Sequence, residues 1–251
     1  MSSVQSVRRA FSVLQSLALG PAGVTEIAVR TELPKSTVAR LLSTLVEVGA
    51  VEQNEDLGVY SIGETIADLS SSVSLGQNLV QLARPYLVEL VEEIGEAVGL
   101  GTLEGHEVYY YDQVDSEHEV QVRNWAGESI SAHVVSSGTV LLAHVDETAR
   151  STFLSLPLER WTPNSVIDPA LIARRLDEAK AQGFAWTFEE MSEGLNSVAA
   201  PIFNAAGDAV AAIHAHGPSY RFPQKGQERA VANAVVKTAG RISKRLAGRH
   251  L

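Results

Sequence analysis

Apolar positions fall into two regimes along the chain. Val7, Phe11, Leu14 and Leu17 recur at helical spacing, and Gly20-Pro21 stops that helix. Thr25 is placed to cap a second helix that runs through Arg30. Pro34 suits the first turn of a third helix reaching about Val48. Ile27, Ala28, Leu33, Val38, Leu41, Leu42 and Leu45 give these helices a shared core. Residues 51–53 and 59–61 read as two strands about a turn at 54–58. Three helices and a hairpin wing predict a winged helix-turn-helix over residues 1–62. Residues 63–75 carry one apolar stripe, Ile66, Leu69 and Val73, which predicts a linker helix in the segment 63–78. A helix with one such stripe packs on something, either a second subunit or its own domain.

From residue 79 the pattern changes. An amphipathic helix is predicted over 79–94, followed by strands at 98–103, 108–114 and 120–124, with a turn at Gly105-His106. Helices are predicted at 138–144, 149–154 and 170–182, the last ended by Gly183. Strands follow at 184–188, 198–203 and 209–216, and a helix at 227–246 closes the chain. Helices flanking hairpin-linked strands predict an α+β domain with a mainly antiparallel sheet over 79–251.

Composition narrows the class. The chain is 45% hydrophobic and 20% charged, as in ordinary globular proteins. No apolar run reaches the ~18 residues of a membrane span, and no signal-peptide core follows Arg8 and Arg9. A cytoplasmic protein without membrane association is expected. With no cysteine, disulfides, thiolate zinc sites and cysteine nucleophiles are excluded. The formal charge is −10, and residues 1–60 hold five basic against six acidic side chains. Any nucleic-acid binding there must rest on a few well-placed contacts.

Five segments, in order, carry a resemblance: LPKSTVARLLSTL at 33–45, YSIG at 60–63, GEAVGLGTLEGHEVYYYDQVDS at 95–116, HVVSSGTVLLA at 133–143 and GFAWTFEEMSEGLNSVAAPIFNAAGDAVAAIHAHGPSYRF at 183–222. Together they resemble the isocitrate lyase regulator (IclR) family of bacterial transcription factors over nearly the whole chain. The resemblance implies a DNA-binding domain, a linker helix and a GAF-like domain that binds a small metabolite. It also implies a homodimer, often a dimer of dimers, acting on a double-stranded DNA operator without cofactor or enzymatic activity.

Lys35, Ser36, Thr37 and Arg40 lie on the first two turns of the second helix of the helix-turn-helix, which is the helix that enters a major groove. Arg40 is assigned to base reading, because a guanidinium takes guanine O6 and N7 together for ~1–3 kcal/mol of discrimination. Lys35, Ser36 and Thr37 sit where free amides and the helix dipole favour phosphate. Thr25 and Arg8 are assigned to the DNA backbone. The competing reading is a solvated face on a protein-binding winged helix. Two departures from the family bear on affinity. Glu32 stands where the family usually has glycine, at a cost of about 1 kcal/mol if the position is left-handed. Ser61 stands where the family often has arginine, and the wing carries Glu52, Glu55 and Asp56. A weak grip by the wing is expected, with affinity drawn from two half-sites on a dimer.

For the effector, Ser136, Ser137 and Gly138 precede a predicted helix and match a family loop that meets the ligand. Asn196-Ser197 falls where some members have a pocket cysteine, and Thr187 and Phe188 fall where small-acid sensors can carry aspartate. With Trp125, Tyr111, Tyr109 and Trp186 on nearby strands or loops, the expected ligand is a small organic acid, aromatic and hydroxybenzoate-like in preference to glyoxylate. Each aromatic is equally a candidate for simple core packing, and the two serines for helix capping.

Other chemistry finds little support. Ser137, His133 and His144 are the raw material of a hydrolase site, but no G-x-S-x-G elbow, H-E-x-x-H or glycine-rich phosphate loop accompanies them. His214 and His216 alternate on a strand and share a face. They read as a metal-binding pair or as side chains lining or packing under the pocket. A protein-interaction module without DNA binding is the third class, and it would keep the linker helix.

Overall fold

The computed structural model describes residues 4–54, 57–66 and 75–248. The chain divides into two compact units, Met1–Leu75 and Gly76–Leu251. The architecture is α+β, with a helix-turn-helix in the first unit and an antiparallel sheet in the second.

In the first unit α1 (Gln5–Leu17), α2 (Val24–Thr31) and α3 (Lys35–Glu47) are followed by the antiparallel strands β1 (Val51–Asn54) and β2 (Val59–Ile62). Val13, Leu17, Ile27, Val38, Leu42 and Val51 are buried at its centre, each worth on the order of 1.5–3 kcal/mol by area. Ala22 exchanges two backbone hydrogen bonds with Tyr60, which ties the loop before α2 to the wing. The expected stripe on α1 is only half right. Leu17 is buried and Leu14 packs against the core, but Val7 and Phe11 are 53% and 61% exposed, and Val13, outside the expected stripe, is buried in their place. Two interleaved sets satisfy the same spacing, and periodicity cannot choose between them. Thr25 is not a cap either, because α2 begins at Val24 with Gly23 as its N-cap. Ile66 packs against this core; Leu69 and Val73 lie outside the described residues.

The second unit opens with α4 (Leu75–Ile94). Six strands follow: β3 (Ala97–Glu104), β4 (Glu107–Val114), β5 (Ser129–Ser131), β6 (Ala185–Phe188), β7 (Leu195–Phe203) and β8 (Ala209–Pro218). They form one sheet in the order β5-β4-β3-β8-β7-β6, antiparallel throughout. One face packs α4 and α8 (Glu228–Leu246) against Val98, Leu100, Val198 and Ile213. The other packs α5 (Ser136–Leu142) and α7 (Pro169–Gln182) against Val108, Tyr110, Ala199 and Ala212. A short helix, α6 (Glu147–Leu154), is capped by the Asp146 side chain on the Ala149 amide. The strand expected at 120–124 is irregular; the edge strand is β5.

β4 contains a bulge. Gly101 pairs with Tyr110 and Leu100 with Asp112, so Tyr111 has no partner opposite. The extra residue inverts the alternation of faces. Val108 and Tyr110 point to the α5 side, whereas Asp112 reaches the α4 side and bonds Arg84 at 2.5 Å.

Candidate functional site

The first candidate surface is the start of α3. Lys35, Ser36 and Arg40 are exposed and Thr37 is half-buried. The helix has Pro34 as N-cap and no side-chain cap; the Thr37 and Val38 amides donate to the Pro34 carbonyl, which leaves the Lys35 and Ser36 amides as its terminal donors. Val38 and Leu42, on the opposite side of the helix, are fully buried and fix which side faces solvent. The turn before α3 passes through Glu32 at φ 55°, ψ 29°, the left-handed conformation that glycine adopts most cheaply. Arg30 is held away from this surface by Glu26 and the Ser16 carbonyl. Thr25 and Arg8 are exposed on α2 and α1. Ser61 pairs with Glu52 across the wing.

The second candidate lies within the sheet unit, on the side of the sheet that carries α5. Cross-strand register sets up its polar row: Thr187 pairs with Ser197, and Ser197 with His216. One row along, Ala199 pairs with His214 and His214 with Gly99. Small residues flank each imidazole and leave room for it. The Ser197 hydroxyl hydrogen-bonds those of Thr187 and Ser136, both at 2.8 Å. The Ser137 hydroxyl bonds the Tyr110 phenol at 2.9 Å. Tyr110, Trp125, Val135, Thr187, Met191, Leu195, Ser197, His214 and His216 line a narrow cavity of about 350 Å³ that is partly open to solvent. Its walls are closely apposed.

Two walls come from outside the regular strands. Trp125 sits on the irregular segment after β4, its amide donating to Gln113 Oε1 and Arg123 lying 4.1 Å from its ring centre. Met191 is a flexible thioether in the β6–β7 loop. That loop is clamped by Thr162 and Ser165 on the carbonyls of Glu189 and Glu190. Arg175 holds the buried Glu190 carboxylate through two bonds of 2.7 and 2.8 Å.

The electrostatics are those of a neutral cavity. Among the described residues no lysine or arginine lines it. Burial lowers the His214 pKa well below its ordinary value, and the His216 charge would lower it further. Burial brings His216 down to about 4, with Asp115 opposing. Burial pushes the Tyr110 phenol up, against its bond to Ser137. Both histidines are therefore uncharged near neutral pH, and their rings stack with centres 5.1 Å apart.

Of the side chains expected here, Trp125, Thr187 and Ser197 line the cavity, and Ser136 and Ser137 support it through hydrogen bonds. Four others do not reach it. Tyr111 is the bulged residue and hydrogen-bonds Glu104 on the surface. Phe188 is 47% exposed and stacks on Trp186. Asn196 points to the other side of β7 and donates to the Phe222 carbonyl. Gly138 is a packing residue, since a β-carbon there would overlap the Ala132 carbonyl oxygen. The anion-holding loop expected before α5 is instead its first turn, with the serine hydroxyls turned to the sheet. Ser137 shares its hydroxyl with Tyr110, and His133 bonds the Glu159 carbonyl, so these two are not paired as nucleophile and base. Among the described residues no group of three or more His, Asp or Glu is arranged to hold a metal ion. Val135, at the head of the Ser136–Gly138 segment, also lines the cavity, as do Tyr110, Met191 and Leu195, for which the sequence carried no signal. The H-x-H alternation was the visible trace of His214 and His216.

A winged helix with an exposed basic N-terminal turn, followed along the chain by a sheet domain with an internal cavity, defines a ligand-sensing DNA-binding regulator. The IclR helix-turn-helix domain matches residues 6–55, and the bacterial transcriptional regulator IclR C-terminal domain matches residues 71–244. This chain belongs to the IclR family of DNA-binding transcriptional regulators. It is 32% identical over 242 residues to the HTH-type transcriptional regulator BhcR of Paracoccus denitrificans, covering 96% of this chain and 86% of that one. It is 31% identical to the transcriptional repressor IclR of Escherichia coli K12, covering 87% and 81%. Among solved structures it is similar to an IclR homolog from Microbacterium hydrocarbonoxydans complexed with 4-hydroxybenzoate (TM-score 0.64, 27% identity, 97% and 100% covered). It is also similar to the Thermotoga maritima IclR (0.65, 26%, 96% and 98%). Among the described residues no helix is long and apolar enough to cross a membrane.

Proposed function

We propose that this protein binds operator DNA in the cytoplasm through α3 and that a small organic acid, aromatic in preference to glyoxylate, sets its affinity from the cavity beside His214 and His216. The reading takes residues 1–62 as the DNA-binding domain, 63–78 as the linker and 79–251 as the effector and oligomerisation domain. Lys35, Ser36 and Thr37 meet phosphate, Arg40 reads a base, and Arg8 and Thr25 add backbone contacts. With so few cations in the first unit, useful affinity requires a homodimer, or a dimer of dimers, on two half-sites. The observation that carries the effector reading is a cavity with apolar and aromatic walls and a row of hydroxyl and imidazole groups on one side. The complex of a related structure with 4-hydroxybenzoate supports the aromatic class. A ring enters only if Trp125 and Met191 move apart, and that displacement is the handle by which the ligand selects one arrangement of the protein.

The test is fluorescence anisotropy of the full-length protein on duplexes from the region upstream of its own gene, with benzoate, 4-hydroxybenzoate, pyruvate and glyoxylate as effectors. Salt-sensitive, sequence-selective binding shifted by the aromatic acids is expected. Binding without sequence preference, or no response to any aromatic acid, would overturn the corresponding half of the proposal.

A further inference from the structure

Three buried imidazole nitrogens in the cavity, Nδ1 of His214 and both ring nitrogens of His216, have no hydrogen-bond partner. Buried polar atoms are nearly always paired, so three unpaired atoms on two adjacent rings call for an explanation. Both rings belong to the cavity lining, where they stand beside the Ser197 and Thr187 hydroxyls. A carboxylate entering this space would meet hydroxyl and N–H donors but no fixed positive charge, and an uncompensated anion there is costly. From the cavity side the nearest available compensation is a proton on an imidazole.

We infer that the effector acid is taken up together with one proton, which settles on His216, so that anion and imidazolium are buried as a neutral pair. This rests on the effector reading given above. The balance is simple: the carboxylate leaves water with its charge intact, one proton leaves solvent for the neutral ring, and no covalent bond changes in the acid. His216 is the better acceptor of the two. Asp115 favours its charged form, whereas the charge on His216 disfavours one on His214.

Among the described residues, the charged groups around the cavity already have partners of their own. From β4, Tyr110 faces His214, with ring centres 4.7 Å apart. From the segment after β4, Asp115 accepts from Gln113 and Asn124, and Arg123 pairs with Glu128. From the β6–β7 loop, Glu190 is locked by Arg175. From the helical turn before α5, His133 is bonded to a carbonyl. β3, β6, β7 and α5 contribute Gly99, Thr187, Ser197, Ser136 and Ser137, none of which titrates near neutrality. Glu96 with Arg221, and Asp112 with Arg84, are engaged on the other side of the sheet.

Linkage fixes the sign. The free site holds no proton at neutral pH and the occupied site holds one, so raising the pH opposes binding. Affinity falls about tenfold per pH unit from just above the free His216 value to the value it takes in the complex. An uncharged ligand shows no such slope.

The experiment is titration calorimetry of the full-length protein with 4-hydroxybenzoate, benzoate and pyruvate in two buffers of different ionisation enthalpy, with 4-hydroxybenzamide as the uncharged control. We expect uptake of one proton per acid bound, weaker binding at higher pH, and far weaker binding of the amide. His216→Gln should abolish the uptake and weaken the acid at least tenfold near neutrality, while His214→Gln retains the uptake. An acid that binds wild type without proton uptake overturns this inference and leaves the effector reading standing. Uptake that survives His216→Gln overturns the assignment to His216. Failure of every acid to bind overturns both readings. The wild-type proton count decides the matter even if a variant does not fold.

Discussion

Gly99 lies directly beneath the ring of His214. A β-carbon built on Gly99 would overlap Cε1 of that ring and stand 2.8 Å from its Nε2. The histidine can occupy the cavity only because its cross-strand neighbour has no side chain. We expect Gly99→Ala to destabilise the sheet unit by about 1–3 kcal/mol through overpacking and to weaken acid binding by displacing the His214 ring into the cavity. Thermal melting followed by ligand titration checks both; an unaltered melt with unaltered affinity would contradict the contact.

The buried imidazoles make stability depend on pH. In the unfolded chain His216 titrates near its ordinary 6.5, and in the folded protein near 4. Between these values the unfolded chain holds the extra proton. Stability that is complete above about pH 6.5 is therefore lost as pH falls towards 4, by on the order of 3 kcal/mol from this residue. His214 acts in the same direction. Urea denaturation between about pH 7 and about pH 4.5 should show the decline, and His216→Gln should flatten it. A wild-type profile without slope would mean the pair is not buried and neutral.

Glu32 holds a left-handed conformation between α2 and α3. Replacing it by glycine should stabilise the first unit by about 1 kcal/mol. Amide exchange in α2 and α3 reads this as a roughly fivefold slowing. The same change removes a carboxylate from the turn before α3, so affinity for DNA of any sequence should also rise.

The two basic residues of α3 should separate in their effects. Arg40→Ala should cost about 1–3 kcal/mol on the operator and relax specificity at one base of each half-site. Lys35→Ala should weaken all sequences alike and reduce the salt slope by about 1. Anisotropy titrations on base-substituted duplexes at several salt concentrations distinguish them. Operator binding unchanged in Arg40→Ala would remove that residue from the reading head.

The Arg175–Glu190 pair should be costly to break and cheap to replace. Arg175→Met leaves a buried carboxylate unpaired, at about 3–5 kcal/mol. Adding Glu190→Gln should recover most of that loss. Because the loop positions Met191, acid affinity should fall in the single variant and return in the double, as measured by melting and calorimetry.

Much of the fold was legible because strong periodicity carried it. The helices of the first unit, the wing, the hairpin-linked strands and the terminal helix all follow from apolar spacing and turn residues. The exposed face of α3 was readable for the same reason, since Val38 and Leu42 determine what lies opposite them. The cavity was legible only in outline. Thr187 and Ser197 share a face with His216 through pairing between strands far apart in sequence. Tyr111 falls outside the cavity because it is the bulged residue of β4, and Tyr110, on the same face as Val108, is the phenol that reaches it. On α1, two overlapping apolar sets share Leu17, and it is Val13 rather than Val7 or Phe11 that joins it inside.

The irregularity in β4 occurs within a run of three phenols, Tyr109, Tyr110 and Tyr111. Should the strand slide by one position in either direction, another tyrosine would arrive where Tyr110 now meets Ser137. The phenol at this wall is thus duplicated along its own strand, and what holds the present register is Val108, which any one-residue slide would turn out of the core.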